Sequence, residues 1–318
     1  NIEISNNEIT MGLVPFSTGI KMSYGVELAS ETLINYNTII GGEIGIELTN
    51  GGNITLLWNS LLNPQDGILA SNISNIEIVS NTLHNANSVK YTGIFLNSTT
   101  GNVRHNSISG FSYGVWLANS SPNLGLNSIF NNLQNGIYIG EGSNPYMNNY
   151  YFKVSNCEKH IYPLTGFNHI YDNGGYTNNS DDDGAEIYFY QSYAFLENGC
   201  NFISDDREPF DPPVFNTQVL MNGTITPQYS MSTQLSARNN YWGNSQFFGG
   251  NDPSERFGNL DVLYEPYLSG PCDSFLEEIC PWFVTDKAGN IIDTLYPSDS
   301  YKEPSDLDLL YSEAELYF

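Results

Sequence analysis

Positive charge is scarce in this chain. Lys and Arg together number 10, against 35 Asp and Glu, and the formal net charge is −25 at pH 7. Nucleic acids and anionic membrane surfaces are bound through clustered basic residues. The charge balance therefore argues against both as partners, and also against tight binding of an anionic polysaccharide. It favours solubility, cation binding or salt tolerance.

Cysteine and histidine are also few, at four residues each. No cysteine lies in a CxxC pair and no histidine cluster accompanies them, which argues against a zinc site. Two disulfides would suit an exported protein. Of the three possible pairings, Cys157 with Cys200 and Cys272 with Cys280 are the most local.

Long apolar runs and helical spacing are missing as well. No stretch of about 18 apolar residues could form a transmembrane helix, and no signal peptide is recognisable. Residues 1–150 lack the three- and four-residue apolar spacing of amphipathic helices. What they contain instead is strict alternation of apolar and variable residues, which indicates half-buried β-strands.

The alternating segments repeat. Each opens with Gly and an apolar residue, and then reaches an Asn that is followed two positions later by another apolar residue. The Asn recurs about every 22 residues, and a period in this range indicates a stacked solenoid. The opening glycines are Gly25, Gly45, Gly67, Gly93, Gly114 and Gly136, and the matching asparagines are Asn37, Asn59, Asn81, Asn106, Asn127 and Asn149.

A unit of this length with three short strands predicts one turn of a parallel β-helix, in which every turn buries a triangular apolar layer. Three apolar columns support this interpretation. The first column follows the opening Gly and contains Val26, Ile46, Ile68, Ile94, Val115 and Ile137. The second lies three residues before the Asn and contains Ile4, Ile34, Leu56, Ile78, Val103, Leu124 and Tyr146. The third lies two residues after it and contains Ile9, Ile39, Leu61, Leu83, Ile108, Ile129 and Tyr151.

The repeated Asn and Gly have structural explanations. Asn tolerates the left-handed backbone region that a corner between strands requires, and stacked Asn side chains can form amide hydrogen bonds along the axis. The opening Gly fits a second corner with a positive φ. Because Asn1 already lies within a repeat, we expect this chain to be a fragment of a longer protein that has lost its targeting segment.

The residues after the regular repeats carry a family resemblance. Ala237–Gly243 reads Ala-Arg-Asn-Asn-Tyr-Trp-Gly, and it is followed by Gly249–Pro253, Gly258–Val262 and Glu265–Leu268. This resembles the last coil of right-handed parallel β-helix proteins of the pectate-lyase-like superfamily, which includes carbohydrate-interacting repeat proteins. The resemblance covers roughly residues 1–268 and implies the fold, but it does not select an activity. It is typical of bacterial surface or secreted proteins.

The predicted fold class is therefore all-β, a right-handed parallel β-helix with about 22 residues per coil and a small C-terminal extension. We place the β-helix at residues 1–268, with irregular insertions near 154–183 and 204–216. Residues 269–318 form the extension, which contains a hairpin around residues 288–290. It ends in a helix from Ser305, which either terminates the chain or begins a further, tetratricopeptide-like domain.

One outward position in the opening strands is unexpectedly apolar. It holds Glu27 and Glu47 and then five apolar or aromatic residues, and such a stripe indicates either a binding platform or a surface covered by another segment. We predict a lateral binding face for a polysaccharide or a surface protein, and the alternative is that residues 154–183, 204–216 or the C-terminal tail cover it. The predicted binding residues are Leu69, Phe95, Trp116, Tyr138 and Tyr188.

Acidic clusters in the insertions suggest a second site. Carboxylates grouped on loops can hold Ca²⁺, although no EF-hand spacing occurs and a solvated acidic loop is the simpler interpretation. No other cofactor is indicated. The candidate ligands are Asp181, Asp182, Asp183, Asp205 and Asp206.

Catalytic motifs are not apparent. Hydrolases of the superfamily carry Gly-His-Gly and Arg-x-Lys, which this sequence lacks, and its lyases need Arg or Lys beside Ca²⁺-binding carboxylates. The only candidate cations are Arg104 with His105, Lys159 with His160, and Arg207, and a structural or surface role fits each better. We therefore predict a non-catalytic extracellular or cell-surface recognition module, with a polysaccharide lyase or glycoside hydrolase as the alternative.

Overall fold

The structure is a computed structural model. It describes residues 2–12, 17–23, 31–87, 90–148, 165–174, 185–190, 192–197, 199–204, 215–217, 234–238, 240–242, 261–263, 282–285 and 291–295. Within these residues the secondary structure is β-strand, and no helix occurs. None of them forms a helix of the length and apolarity that crossing a membrane requires.

The strands stack into a parallel solenoid with three faces, which we call the first, second and third sheets. Strands β6 (Ile44–Leu57) and β8 (Asp66–Val79) run through a corner, so their first halves belong to the first sheet and their second halves to the second. The other first-sheet strands are β3 (Thr18–Ser23), β10 (Thr92–Asn97), β13 (Tyr113–Ala118), β16 (Asn135–Gly140), β18 (Ala185–Tyr190) and β20 (Phe215–Thr217).

Two further sets complete the coils. The second sheet adds β1 (Ile2–Ser5), β4 (Thr32–Asn35), β11 (Gly101–Arg104) and β14 (Asn123–Gly125). The third sheet contains β2 (Glu8–Thr10), β5 (Thr38–Ile40), β7 (Ser60–Leu62), β9 (Thr82–His84), β12 (Ser107–Ser109), β15 (Ser128–Phe130), β17 (His169–Tyr171) and β19 (Phe202–Ser204). All neighbouring strands in these sheets pair in parallel. The predicted all-β parallel solenoid with coils of about 22 residues is confirmed.

The apolar columns form the core. In the coil that contains β6 and β7, Ile46, Leu48, Leu56 and Leu61 are all 1% exposed or less, and their counterparts in the neighbouring coils are aligned by strand register. Each coil contributes one such layer, and because successive strands lie about 4.8 Å apart, the layers stack into one continuous apolar interior.

The predicted Asn ladder is present and extends beyond the regular repeats. Each buried Asn accepts two hydrogen bonds on its side-chain oxygen, from the main-chain and side-chain nitrogens of the preceding Asn; for Asn59 and Asn81 these are 2.8 and 2.9 Å. Its amide nitrogen also donates to main-chain carbonyls, such as that of Leu56. The ladder comprises Asn7, Asn37, Asn59, Asn81, Asn106, Asn127, Asn168, Asn201 and Asn240.

Two predicted backbone roles are wrong. The left-handed corner residue is not the ladder Asn but the residue before it, whatever its type: Asn6, Tyr36, Trp58, Ser80, His105, Leu126, Phe167 and Cys200. The opening glycines that the structure describes, Gly45, Gly67, Gly93, Gly114 and Gly136, are not at positive φ either; they lie within strands. A Cβ on Gly45 would lie 2.7 Å from the main-chain oxygen of Gly67 and 2.6 Å from Leu61. Close approach, not a turn, is what selects Gly there.

Some column assignments also need correction. Gly19 and Ile20 occupy the first-coil positions that were assigned to Gly25 and Val26, and residues 24–30 lie outside the described part. In the second column Met147, which is fully buried, replaces Tyr146. After Asn127 and Ile129, the ladder and third column continue at Asn168 and Ile170, and the predicted Asn149 and Tyr151 lie outside the described residues.

Parts of the two segments predicted as irregular insertions are strands of the solenoid. Residues 165–174 include β17 and the ladder residue Asn168, so the solenoid resumes within the segment 154–183. A second, shorter ladder links Asn132, Asn173 and Glu186, whose carboxylate accepts the Asn173 main-chain and side-chain N–H groups. Phe215 and Asn216 lie in β20 rather than in a loop.

Contacts divide the chain into two units, residues 1–149 with 163–271 and residues 150–162 with 272–318. In the first unit β21 (Gln234–Ser236) pairs in parallel with β22 (Asp261–Leu263). In the second, β23 (Trp282–Thr285) pairs antiparallel with β24 (Ile291–Leu295), which confirms the predicted hairpin. The boundary at residue 268 stays a prediction, and the predicted helix from Ser305 lies outside the described residues.

Candidate binding site: an aromatic column on the first sheet

One outward position of the first sheet is aligned from coil to coil. Its register runs from Lys21 through Glu47 and the five predicted residues to Asn216. We call the five the aromatic column: Leu69, Phe95, Trp116, Tyr138 and Tyr188. Each lies between two buried residues of its strand and is itself half-buried. The column is thus one continuous surface feature, and its role in binding stays a prediction.

The rings of the column pack on one another. Phe95 meets Trp116 edge to face, with centroids 5.7 Å apart and an interplanar angle of 84°. Trp116 is tilted by 53° against Tyr138 at 4.9 Å, and Tyr138 stacks on Tyr188 at 5.2 Å and 11°. Parallel rings at this separation are offset, so part of each face is used inside the column. Trp116 therefore makes an edge contact with one neighbour and a tilted contact with the other, whereas Tyr138 and Tyr188 are stacked.

Further tyrosines widen the column at Trp116 and beyond. Tyr113 lies 4.9 Å from Trp116 and 5.7 Å from Tyr138, by ring centroids. Tyr190 is on the same strand and, two residues beyond Tyr188, is aligned with Gly140. A Cβ on Gly140 would be 2.8 Å from the Tyr138 ring, which shows that the ring lies over this glycine. The result is a tyrosine-rich patch beside the indole.

Two phenols of the patch, those of Tyr138 and Tyr188, stay uncharged over a wide pH range. Burial, followed by the neighbouring tyrosines with Tyr188 first, raises the pKa of Tyr138 to about 12. Burial also raises the pKa of Tyr188. Both phenols therefore keep their protons well into the alkaline range and remain hydrogen-bond donors. Uncharged phenols on apolar rings suit contact with sugars or with a protein surface.

The other end of the same position is charged. Lys21 Nζ lies 2.8 Å from a carboxylate oxygen of Glu47. Lys21 is therefore the residue that precedes Glu47 at this position, in place of the predicted Glu27. The ion pair lies at the N-terminal end of the aromatic column, because Glu47 is aligned with Leu69, the first residue of the column.

The predicted Ca²⁺ ligands and most of the candidate cations cannot be placed. The carboxylates of residues 181–183, 205 and 206, and also Lys159, His160 and Arg207, lie outside the described residues. Arg104 is described, and it pairs with Glu77 of the preceding coil at 3.3 Å. Among the described residues no group of three or more His, Cys, Asp or Glu side chains is arranged to hold a metal ion.

Asp66 is a carboxyl group that the sequence did not single out. It lies at the start of β8, and its side chain accepts a hydrogen bond of 2.9 Å from the main-chain N–H of Thr92 in the next coil. Burial, opposed by this hydrogen bond and assisted by Glu43, raises the pKa of Asp66 to about 6. The side-chain oxygen of Asn135 likewise accepts a hydrogen bond from the main-chain N–H of Ala185 in the next coil. The matching role of Asn135 indicates a structural cap rather than a catalytic acid.

Replacing Asp66 with Asn should therefore stabilise the protein at neutral pH. The unfolded chain loses the proton near the ordinary value of 3.8, whereas the folded chain keeps it up to about pH 6, so the wild type loses stability as the pH rises through this window. Asn keeps the acceptor for Thr92 without the charge. We expect Asp66→Asn to gain about 1–2 kcal/mol at neutral pH after solvent screening is allowed for.

Urea unfolding at a series of pH values measures this effect. The gain should vanish at about pH 3.5, where Asp66 is mostly protonated in both the folded and the unfolded chain. Asn135→Asp is the mirror variant, because it introduces the charge at a buried cap and should lower stability as the pH rises. A gain for Asp66→Asn that does not change with pH would show that titration is not its cause.

A second aromatic cluster was missed by the sequence analysis. On the third sheet, Phe130 stacks on Tyr171 at 5.2 Å and 4°, and Phe202 lies 5.5 Å from His169 and 5.1 Å from Tyr241. The signal was available, because the outward positions of this sheet follow the ladder Asn by one and three residues. It was lost because Asn149 had been taken as the ladder residue in place of Asn168.

Residues 1–128 match a protein-family model described as a right-handed beta helix region. Searches against curated proteins and against solved structures gave no match. The matched segment ends at the first residue of β15, and the same coil geometry continues after it through β17 and β19. The family match over residues 1–128 and the parallel coils of the described residues agree on a right-handed parallel β-helix for this part of the chain.

Proposed function

We propose that this protein is a non-catalytic, extracellular or cell-surface recognition module that binds a glycan or a partner protein through the aromatic column. In general terms, a right-handed β-helix region supports a carbohydrate-interacting or structural repeat protein. The single observation that carries the more specific proposal is the alignment of four consecutive aromatic residues, Phe95 to Tyr188, on the outward side of one sheet.

The chemistry of the column supports recognition. Outward sheet positions of a soluble protein are usually polar, and a contiguous apolar patch on them indicates an interaction surface. Trp and Tyr are also the residues that most often supply binding energy in interfaces, because they combine a large apolar area with a polar group. Here the pKa of Tyr138 is raised to about 12, so its hydroxyl remains a hydrogen-bond donor at neutral pH.

Replacing Trp116 with Ala should weaken binding about tenfold or more, because it removes the ring that contacts Phe95, Tyr113 and Tyr138. Binding is measured on an array of oligosaccharides, and by capture on a panel of cell-surface glycoproteins with and without their glycans removed. The stability cost should be small, about 1–2 kcal/mol, because the indole is only half-buried.

Trp58→Ala is the matched control. Trp58 is 40% exposed at a corner of the coil, where it contacts Tyr36 at 4.9 Å, and it lies outside the aromatic column. It should leave binding unchanged. Retained binding in Trp116→Ala would remove the column from the function, and release of reducing or unsaturated ends from a polysaccharide panel would replace recognition with catalysis.

A further inference from the structure

Basic residues are missing from the strands that carry the aromatic column. These strands are β8, β10, β13, β16 and β18, and none of them contains Lys or Arg. Among the residues that the structure describes between 66 and 190, the only Lys or Arg residues are Lys90 and Arg104, and Arg104 is paired with Glu77. On a chain with a net charge of −25, this face repels an acidic partner and attracts a basic one.

Glu141, at the edge of the column, is a carboxylate without a cationic partner among the described residues. It directly follows β16, three residues after Tyr138, and it is exposed. Its negative charge contributes to the raised pKa of Tyr138, so the carboxylate is close enough to act on that ring. No described Lys or Arg forms an ion pair with Glu141, whereas Glu47 is paired with Lys21. Glu141 is therefore available to a cation that a partner supplies.

Three rings of the patch are inclined to one another rather than stacked. Trp116 lies 4.9 Å from both Tyr113 and Tyr138, at interplanar angles of 56° and 53°, and the two tyrosines are 5.7 Å apart at 77°. All three are half-buried, and we call them the ring triangle. A cation that rests on the ring triangle lies within about 6 Å of more than one centroid, which is the range of cation–π attraction, and Trp attracts cations most strongly.

We propose that the aromatic column binds a basic segment of a partner protein, with an Arg or Lys side chain seated on the ring triangle and facing Glu141. This rests on the proposed function, because it names the partner of the same surface. The column extends over five coils, which lie about 4.8 Å apart, so a small cation would occupy only a part of it. A protein segment also covers Leu69 and Phe95 with its apolar side chains, and that burial adds to the affinity.

The test uses an alternating Arg–Leu octapeptide and two counterparts, in which neutral citrulline or acidic Glu replaces Arg. Titration calorimetry should show that the Arg peptide binds the wild type, that the citrulline peptide binds at least tenfold more weakly, and that the Glu peptide does not bind. Raising the salt concentration should weaken binding of the Arg peptide, because charges take part. Citrulline keeps the shape of Arg but not its charge, so this comparison needs no variant of the protein.

Two substitutions and a matched control locate the bound cation. Trp116→Leu keeps an apolar side chain but removes the ring, and it should weaken binding of the Arg peptide about fivefold while changing that of the citrulline peptide little. Glu141→Gln should weaken binding of the Arg peptide about twofold or more. Glu8→Gln is the control, because Glu8 is also exposed but lies in β2 of the third sheet. It changes the net charge equally and should leave the affinity unchanged.

Equal affinities for the Arg and citrulline peptides would overturn the proposal. Equal losses with Glu141→Gln and Glu8→Gln would also overturn it, because net charge alone would then explain the binding. If Trp116→Ala loses binding on the glycan array or the glycoprotein panel while the wild type shows no preference for the Arg peptide, recognition by the column stands and only the basic partner is wrong. Retained binding of every ligand by Trp116→Ala removes both. Melting curves establish that each variant is folded.

Discussion

Asn81→Ala should destabilise the protein by about 3–5 kcal/mol. The Asn81 side-chain oxygen accepts from the main-chain and side-chain nitrogens of Asn59, at 2.8 and 2.9 Å. Its amide nitrogen donates to the carbonyls of Leu56 and Val79, both at 3.0 Å, and to Asn106. Alanine satisfies none of these groups. The cost is large because the abandoned donors and acceptors are buried, where water cannot replace the lost partner.

Chemical denaturation of the wild type and the variant gives this difference directly. Asn75→Ala is the matched control, since Asn75 also bonds an Asn of the neighbouring coil, at 3.1 Å, but is exposed. It should change stability by no more than about 0.5 kcal/mol. Similar losses in the two variants would mean that the ladder contributes no more than any surface amide pair.

The ladder also shows which part of the fold could be predicted. Alternation and a period near 22 residues were enough to predict the buried columns, since register in a parallel stack is determined by which face is apolar. The left-handed position could not be predicted, because residues as different as Trp58, Ser80 and Leu126 adopt it. Their conformation is imposed by the stack and the adjacent ladder Asn rather than by their own preference.

The candidate site divides in the same way. Position counting placed Trp116 and Tyr138 in one outward column, because side chains alternate strictly along a strand. It could not show that Tyr138 stacks on Tyr188 while Phe95 meets Trp116 edge to face, since ring orientation depends on packing between coils. A sequence pattern can therefore locate an aromatic surface without showing which ring faces remain free for a ligand.

Gly114→Ala should be at least as damaging as a typical overpacked core variant, at about 3 kcal/mol or more. A Cβ at this position would lie 2.6 Å from the main-chain oxygen of Gly136, 2.6 Å from Ile129 and 2.8 Å from the Asn132 amide nitrogen. The first is backbone of the next coil and cannot move aside alone. A single methyl group therefore separates two stacked coils, strains the core and presses on the shorter ladder at once.

Thermal and urea unfolding test this against Gly140→Ala, a glycine of the next coil. There the added Cβ would meet the Tyr138 ring at 2.8 Å, while its nearest backbone neighbour is at 3.6 Å. The ring can turn away, so Gly140→Ala should cost about 1 kcal/mol or less, although it should displace Tyr138 within the aromatic column. A small effect of Gly114→Ala would mean that neighbouring coils separate easily, which contradicts close approach as the reason for the repeated Gly.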